Sequence, residues 1–481
     1  NIIMDYMKRI SEIIESKKDS LIRVSDKIWE YAELKFEEFQ SAEILCKTLE
    51  DEGFAVERNI AGMETAFVGR YGTGNPVVAI LGEFDALYGM SQVDGVTSQK
   101  PVNNGMPGHG CGHQLLGTGA LAAAIAVRHY LQENNLKGTV LYFGCPGEEG
   151  GFGKTYMVRE GIFKDVDCAL TWHPAPANMV SNESSLANYN IYFRFKGKSA
   201  HAAFAPQLGR SALDALELMN VGVNYLREHV PPDVRMHYAV TNTGGKSPNV
   251  VQAESEEYFS MRSPKSSQLR NIFKRVCDVA EGAAMMTGTT VEYEIDSAVS
   301  EAIPNNVLNR LMHKNFVQLG VPEYDAEDYR IADEFRGIMP RAIKENVPPS
   351  VAGNPALVKA LISKPIMDVL APYNEVEGLN MGSTDVADVS WVVPTAQCWV
   401  TSAANGTQLH SWEMVAQGKT SIAHKGMLHA GKVLAATAID IILDPEVLEN
   451  AKKELKERLG DQKYISPIPE GSKPSKTGKI D

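Results

Sequence analysis

The chain begins with three stretches in which apolar side chains recur every three to four positions, 3–16, 19–34 and 41–52. That is the spacing of helices with one buried face. The period then shortens. Nearly unbroken apolar runs follow at 65–71 (TAFVGRY), 76–82 (PVVAILG), 138–144 (GTVLYFG) and 167–173 (DCALTWH), with a helical pattern at 114–133. Continuous apolar strands separated by helices predict an α/β fold with a largely parallel sheet.

Near residue 187 the pattern becomes strict alternation. In NYNIYFRFKG, Tyr189, Ile191, Phe193 and Phe195 share one face, and Asn190, Tyr192, Arg194 and Lys196 the other. This is a strand with one wet face. Helical patterns at 211–229 and 267–287, with strands near 235–241, 256–262 and 290–296, predict a four-stranded antiparallel sheet carrying two helices. After about 298 the α/β texture returns and ends in the helix SIAHKGMLHAGKVLAATAIDIIL. The expected organisation is a large α/β domain in two parts, 1–186 and 299–481, interrupted by an α+β unit at 187–298. Residues 321–378, Pro-rich and polar, fit neither texture and are long enough for a lid or cap.

Composition sharpens this picture. The 481 residues exceed one ordinary core, so two or three domains are expected. With 47 Lys and Arg against 60 Asp and Glu, the net charge is −13. That argues against nucleic acid or an acidic membrane as partner, although a few local arginines can still hold a small anion. No uninterrupted apolar run reaches membrane-spanning length. The amphipathic start NIIMDYMKRISEIIESKKDS is not built like a secretion signal, so a cytoplasmic protein is expected. Six cysteines are scattered without a CxxC pair. Five read as small buried apolar residues, and Cys111, flanked by glycines, as the exception.

Candidate chemistry begins at GHGCGH. On a helix, Cys111 and His113 would point roughly 200° apart. In an irregular glycine loop they can turn to one point, and a helix starting just beyond would favour a thiolate. Glu148 and Glu149, in CPGEEGG after an apolar strand, lie where parallel sheets place their ligands. Adjacent side chains diverge, so one can bind metal and the other act as base. A phosphate loop is excluded, because counting back from Gly153-Lys154-Thr155 puts Glu148 where glycine is required. His173 ends a strand in TWHP and His410 lies in GTQLHSWE, whereas His424 and His429 share a helix and read as packing residues. Cys111, His113, Glu149, His173 and His410 exceed what one tetrahedral zinc takes and imply two metals. Asp85 is a candidate for fixing an imidazole tautomer. His201, Asn249 and Arg262 are polar candidates in the inserted unit.

HGCGH, PGEEGG, TWHP, GKSAHAAFAP and GGKSPNVV, in this order and spacing, resemble the aminoacylase and glutamate-carboxypeptidase superfamily of dinuclear metallohydrolases, clan MH. The Cys-Gly-His form resembles its amidohydrolase branch, and the likeness covers nearly the whole chain. The resemblance implies that Cys111, His113, Glu149, His173 and His410 hold two divalent ions, Mn2+ or Zn2+, with Glu148 as general base. It implies that His201 reaches the partner subunit's site to stabilise an oxyanion, and that Asn249 and Arg262 contact substrate. The assembly would be a homodimer or a heterodimer with a homologous subunit, acting on the amide of a small N-acyl amino acid. The rivals are a dipeptidase, a silent binding protein for acyl-amino acids, and a hydrolase with Cys111 as nucleophile. The family places Asp after the histidine of its HxCGH motif, and this chain has Gln114 there. MGSTDVAD resembles the family's carboxylate loop only loosely, so Ser383 and Asp385 receive no role.

Overall fold

The computed structural model describes residues 2–345, 347 and 352–475. Its strands are β1 (Ala55–Arg58), β2 (Phe67–Thr73), β3 (Val77–Gly82), β4 (Gly138–Gly144), β5 (Cys168–Ala175), β6 (Met179–Val180), β7 (Glu183–Ser185), β8 (Ala187–Lys196), β9 (Arg235–Asn242), β10 (Glu254–Ser263), β11 (Thr290–Val299), β12 (Gly378–Asn380) and β13 (Thr395–Thr401). The large sheet runs β1-β2-β4-β3-β5-β13-β6. Its four central strands, β4, β3, β5 and β13, are parallel, and the flanking pairings are antiparallel. VVAILG and GTVLYFG are buried along their whole length, which is why they carry no alternation.

The helices His113–Glu133 and Ser421–Leu443 pack together beneath this sheet. Their small residues permit a close approach: a Cβ on Gly431 would stand 2.9 Å from Ala122 Cβ. By length and composition Ser421–Leu443 could span a bilayer, but here it is a buried core helix. The sequence pattern closes the fold with this helix. The structure adds a further one, Pro445–Leu459, capped by the Asp444 side chain. It buries only Leu448, Ala451 and Leu455, too sparse a stripe to stand out in sequence.

The second sheet is antiparallel throughout, in the order β11-β8-β10-β9, with helices Ala212–Leu226 and Ser266–Thr287 on one face. The alternation in β8 holds: Tyr189, Ile191, Phe193 and Phe195 are buried. Their core continues into residues on one face of the large sheet, such as Leu141 and Phe143.

The stretch 321–378 forms short helices, Ala326–Gly337, Arg341–Lys344 and Pro355–Leu361. Ala332, Phe335 and Ile366 pack with Ala404, Ala416 and Ile422. Asp328 accepts from Ser421 and Lys425 at the start of the long C-terminal helix. The described part of the stretch is thus a packed outwork. None of the described part lines the cavity described below.

Candidate metal centre

The site lies off the C-terminal ends of the parallel strands, where diverging loops open a crevice. Glu83 and Asp85 follow β3, Glu148 and Glu149 follow β4, His173 is near the end of β5, and His410 follows β13. Gly112 lies between Cys111 and His113 with φ 70° and starts the helix His113–Glu133. A side chain there would be strained and would press on Pro174 and Met414 at 3.0 Å. The glycine therefore sets both the turn and the close approach of neighbouring loops. His410 is also left-handed (φ 60°), and its amide donates to the Gly110 carbonyl at 2.7 Å, tying the two ligand-bearing loops together.

Asp85 joins two of the candidates. Its Oδ1 accepts from His113 Nδ1 at 2.8 Å, and its Oδ2 accepts from the Glu149 amide at 2.8 Å. This orients His113 with Nε2 facing the cluster. His113 Nε2 lies 3.4 Å from Glu83 Oε1, 3.5 Å from Glu149 Oε1 and 3.9 Å from Glu148 Oε2. Glu149 Oε1 is 3.3 Å from His410 Nε2, and Cys111 Sγ is 3.6 Å from His173 Nε2. Donors around one ion at ordinary bond lengths stand about 3.4 Å apart. His113 Nε2, Glu149 Oε1 and Glu83 Oε1 are buried without a hydrogen-bond partner, as expected of atoms arranged for a cation. The donors fall into overlapping groups: Cys111, His113 and His173; Cys111, Glu149 and His410; Glu83, His113 and Glu148. The donor set fits divalent metal.

Electrostatics point the same way. Burial opposes charge on Glu149, but the adjacent His410 imidazole, 3.3 Å away, and then His113 outweigh it and hold the carboxyl at about 2. Burial, with Glu149 and Glu83 beside it, pushes Glu148 well above the carboxylate range. Burial and His113 bring His173 down to about 4, leaving a neutral imidazole with a lone pair to give. Burial also opposes charge on His113, yet Asp85 and Cys111 prevail and draw positive charge to the ring. Burial and then Glu149 push the Cys111 thiol well up, so a thiolate here requires a cation.

The cavity beside this cluster has a volume of about 450 Å3. Cys111, Glu148, Glu149, His173 and His410 line it. His113 is fully buried behind them. Arg262 reaches the wall from β10, and its Nη1 donates to Ser383 Oγ at 3.4 Å. His201 and Asn249 are elsewhere. They pair with each other at 3.1 Å on exposed loops of the smaller sheet and do not line the cavity of their own chain. Gln114 turns away from the centre to the Gly418 carbonyl, and among the described residues it is Asp85 that orients His113. His424 and His429 bond to Asp26 and to the Gly320 carbonyl, as packing residues do.

Three residues of the site carry no signal strong enough to single them out in sequence. Glu83 faces His113, Lys154 lies buried between Glu83 and Asp385, and Trp399 packs its ring on His173 with centroids 4.7 Å apart. The one clue to Glu83 is its position two residues before Asp85 at the same strand end.

A crevice at parallel strand ends, lined by thiol, imidazole and carboxylate donors with a spare carboxylate beside them, defines a metal-dependent amide hydrolase. The chain belongs to Peptidase family M20/M25/M40, whose profile it matches over residues 79–415. It is 46% identical over 478 residues to one of the p-aminobenzoyl-glutamate hydrolase subunits of Escherichia coli, covering 98% of this chain and 99% of that one. It is 28% identical over 476 residues to the Xaa-Arg dipeptidase of Mus musculus, covering 95% and 94%. Its fold matches a dinuclear metal binding peptidase of the M20 family from Bacillus subtilis at 16% identity, with a TM-score of 0.56, covering 89% of this chain and 99% of that one.

Proposed function

We propose that the protein hydrolyses the amide of an N-acyl amino acid, p-aminobenzoyl-glutamate first among them, to p-aminobenzoate and glutamate. The observation that carries this reading is the closeness of Glu148 to a cluster of partnerless metal donors, with Arg262 in the wall of the same cavity. The 46% identity to a hydrolase of that name supports the choice of substrate. Cys111, His113, Glu149, His173 and His410 would hold two divalent ions, Mn2+ or Zn2+, whose Lewis acidity polarises the scissile carbonyl and acidifies water. Glu148 takes a proton from the attacking water and returns it to the leaving nitrogen. Arg262 faces the substrate carboxylate, a charge-assisted contact.

His201 completes the site from the neighbouring subunit, a second copy or a homologue, by donating a hydrogen bond to the oxyanion, with Asn249 beside it. Residues 187–298 act as the unit that carries it. Exposed apolar side chains on this unit support the pairing: Tyr238 and Val240 on edge strand β9, and Val221 and Tyr225 on helix Ala212–Leu226. Six buried, unpaired cysteines suit a cytoplasmic protein.

A dipeptidase is the second reading, favoured by Glu183, an acid in the cavity wall that can take a cationic side chain. Mass-spectrometric assay against N-acyl glutamates and dipeptides, with Mn2+ or Zn2+ added back, separates the two. The expected result is fastest turnover of p-aminobenzoyl-glutamate. Cleavage of Xaa-Arg dipeptides with p-aminobenzoyl-glutamate left intact would replace it.

A further inference from the structure

Glu83 stands outside the five-donor set, yet its environment resembles theirs. It is 2% exposed, at the end of β3. Its Oε2 accepts from Lys154 Nζ at 2.8 Å, while Oε1 has no hydrogen-bond partner. Oε1 lies 3.4 Å from His113 Nε2, which is equally buried and partnerless. With Nδ1–H of the neutral His113 ring engaged on Asp85, Nε2 would turn a lone pair to Glu83 Oε1, and two acceptors cannot satisfy each other. A proton on Nε2 would not resolve this, because neither Glu83 nor Glu149 stands in hydrogen-bonding geometry with it. A cation between them would, and 3.4 Å is the separation expected of two donors on one ion.

Lys154 does not account for Glu83. Its Nζ also bonds Asp385 Oδ1 at 2.9 Å, and its backbone amide bonds Asp385 Oδ2 at 2.9 Å. All three side chains are buried. Two carboxylates on one ammonium leave a net negative charge in the interior, which needs a further positive partner. The anchorage has a geometric effect as well. Lys154 is held at two points by Asp385, so Glu83 Oε2 is fixed and only Oε1 is free to give.

We propose that Glu83 is a sixth metal donor, presenting Oε1 to the ion that His113 holds, and that Lys154 is the positioning residue that keeps it a single-oxygen donor. The proposal rests on the two-metal reading above. An added hard oxygen donor shifts that position toward Mn2+ over Zn2+.

The test is direct metal counting. Wild type, Glu83→Gln and His173→Ala, each stripped with chelator, are titrated with MnCl2 and assayed by mass spectrometry for bound metal, and their CoCl2 complexes are compared by visible absorption. Wild type should hold two equivalents. Glu83→Gln should hold one tightly and the other at least about tenfold more weakly, with an altered Co2+ band. Two equivalents at wild-type affinity with an unchanged Co2+ band in Glu83→Gln, while His173→Ala loses metal, would remove Glu83 from the site and leave the two-metal reading intact. Failure of wild type to bind would remove both. If Glu83→Gln does not fold, Glu83→Asp carries the test with the same two outcomes. It keeps the charge opposite Lys154 and withdraws it by one methylene.

Discussion

Glu148 and Glu149 are chain neighbours with opposite protonation behaviour. His410 and His113 hold Glu149 ionised, while burial and two flanking carboxylates drive Glu148 toward its protonated form. Glu148→Gln should therefore lower kcat by about 10²–10⁴-fold while bound metal, counted by mass spectrometry, stays at the wild-type level. Glu149→Ala should lose metal as well as activity. Loss of metal from the first variant and retention in the second would reverse the assignment. Both glutamates stand out in sequence, because adjacent acids in a glycine loop after an apolar strand lie where parallel sheets place their ligands. Glu83 and Lys154 do not. A lysine in GFGKT and an acid in GEFDA look solvated until the fold buries them against each other and Asp385. Their meaning comes from burial, which local pattern does not carry.

Among the elements, the ones with strong periodicity were readable nearly to the residue. The helices His113–Glu133 and Ser421–Leu443 and the four strands of the smaller sheet fall where the pattern puts them. The order of strands in the large sheet and the helix Pro445–Leu459 did not emerge, because the first depends on long-range pairing and the second on three buried side chains. The junction before His113–Glu133 is the element on which the centre depends most. Gly112→Ala forces a β-carbon into left-handed backbone and against Pro174 and Met414. It should cost about 1–2 kcal/mol in urea unfolding and separate Cys111 from His113 enough to weaken metal binding in the same titration. A variant with unchanged stability and metal content would show that the turn tolerates other geometries.

At the scale of the molecule, the residues that would finish the chemistry are divided between two surfaces. Cys111, Glu149, His173, His410, Glu148 and Arg262 share one cavity with His113 buried behind it, while His201 and Asn249 sit on exposed loops outside it. If copies of this chain pair, His201→Ala and Glu148→Gln should each be nearly inactive, and refolding them as an equal mixture should restore about a quarter of wild-type activity. Random pairing makes half the dimers mixed, each with one intact site. No recovery in a mixture shown to contain mixed dimers would place His201 in its own chain's site or outside catalysis.

The exposed position of His201 and of Phe204, whose ring lies against it with centroids 4.4 Å apart, bears on how such an enzyme behaves when scarce. A site finished by a second molecule is not carried by each chain; it is created on encounter. Below the dissociation constant of the pair, catalytic output follows the square of chain concentration, so halving the chain cuts turnover about fourfold. If two copies of this chain share His201 in this way, dilution alone should silence the enzyme, and modest over-production should bring it on steeply, with no effector and no change in any single chain.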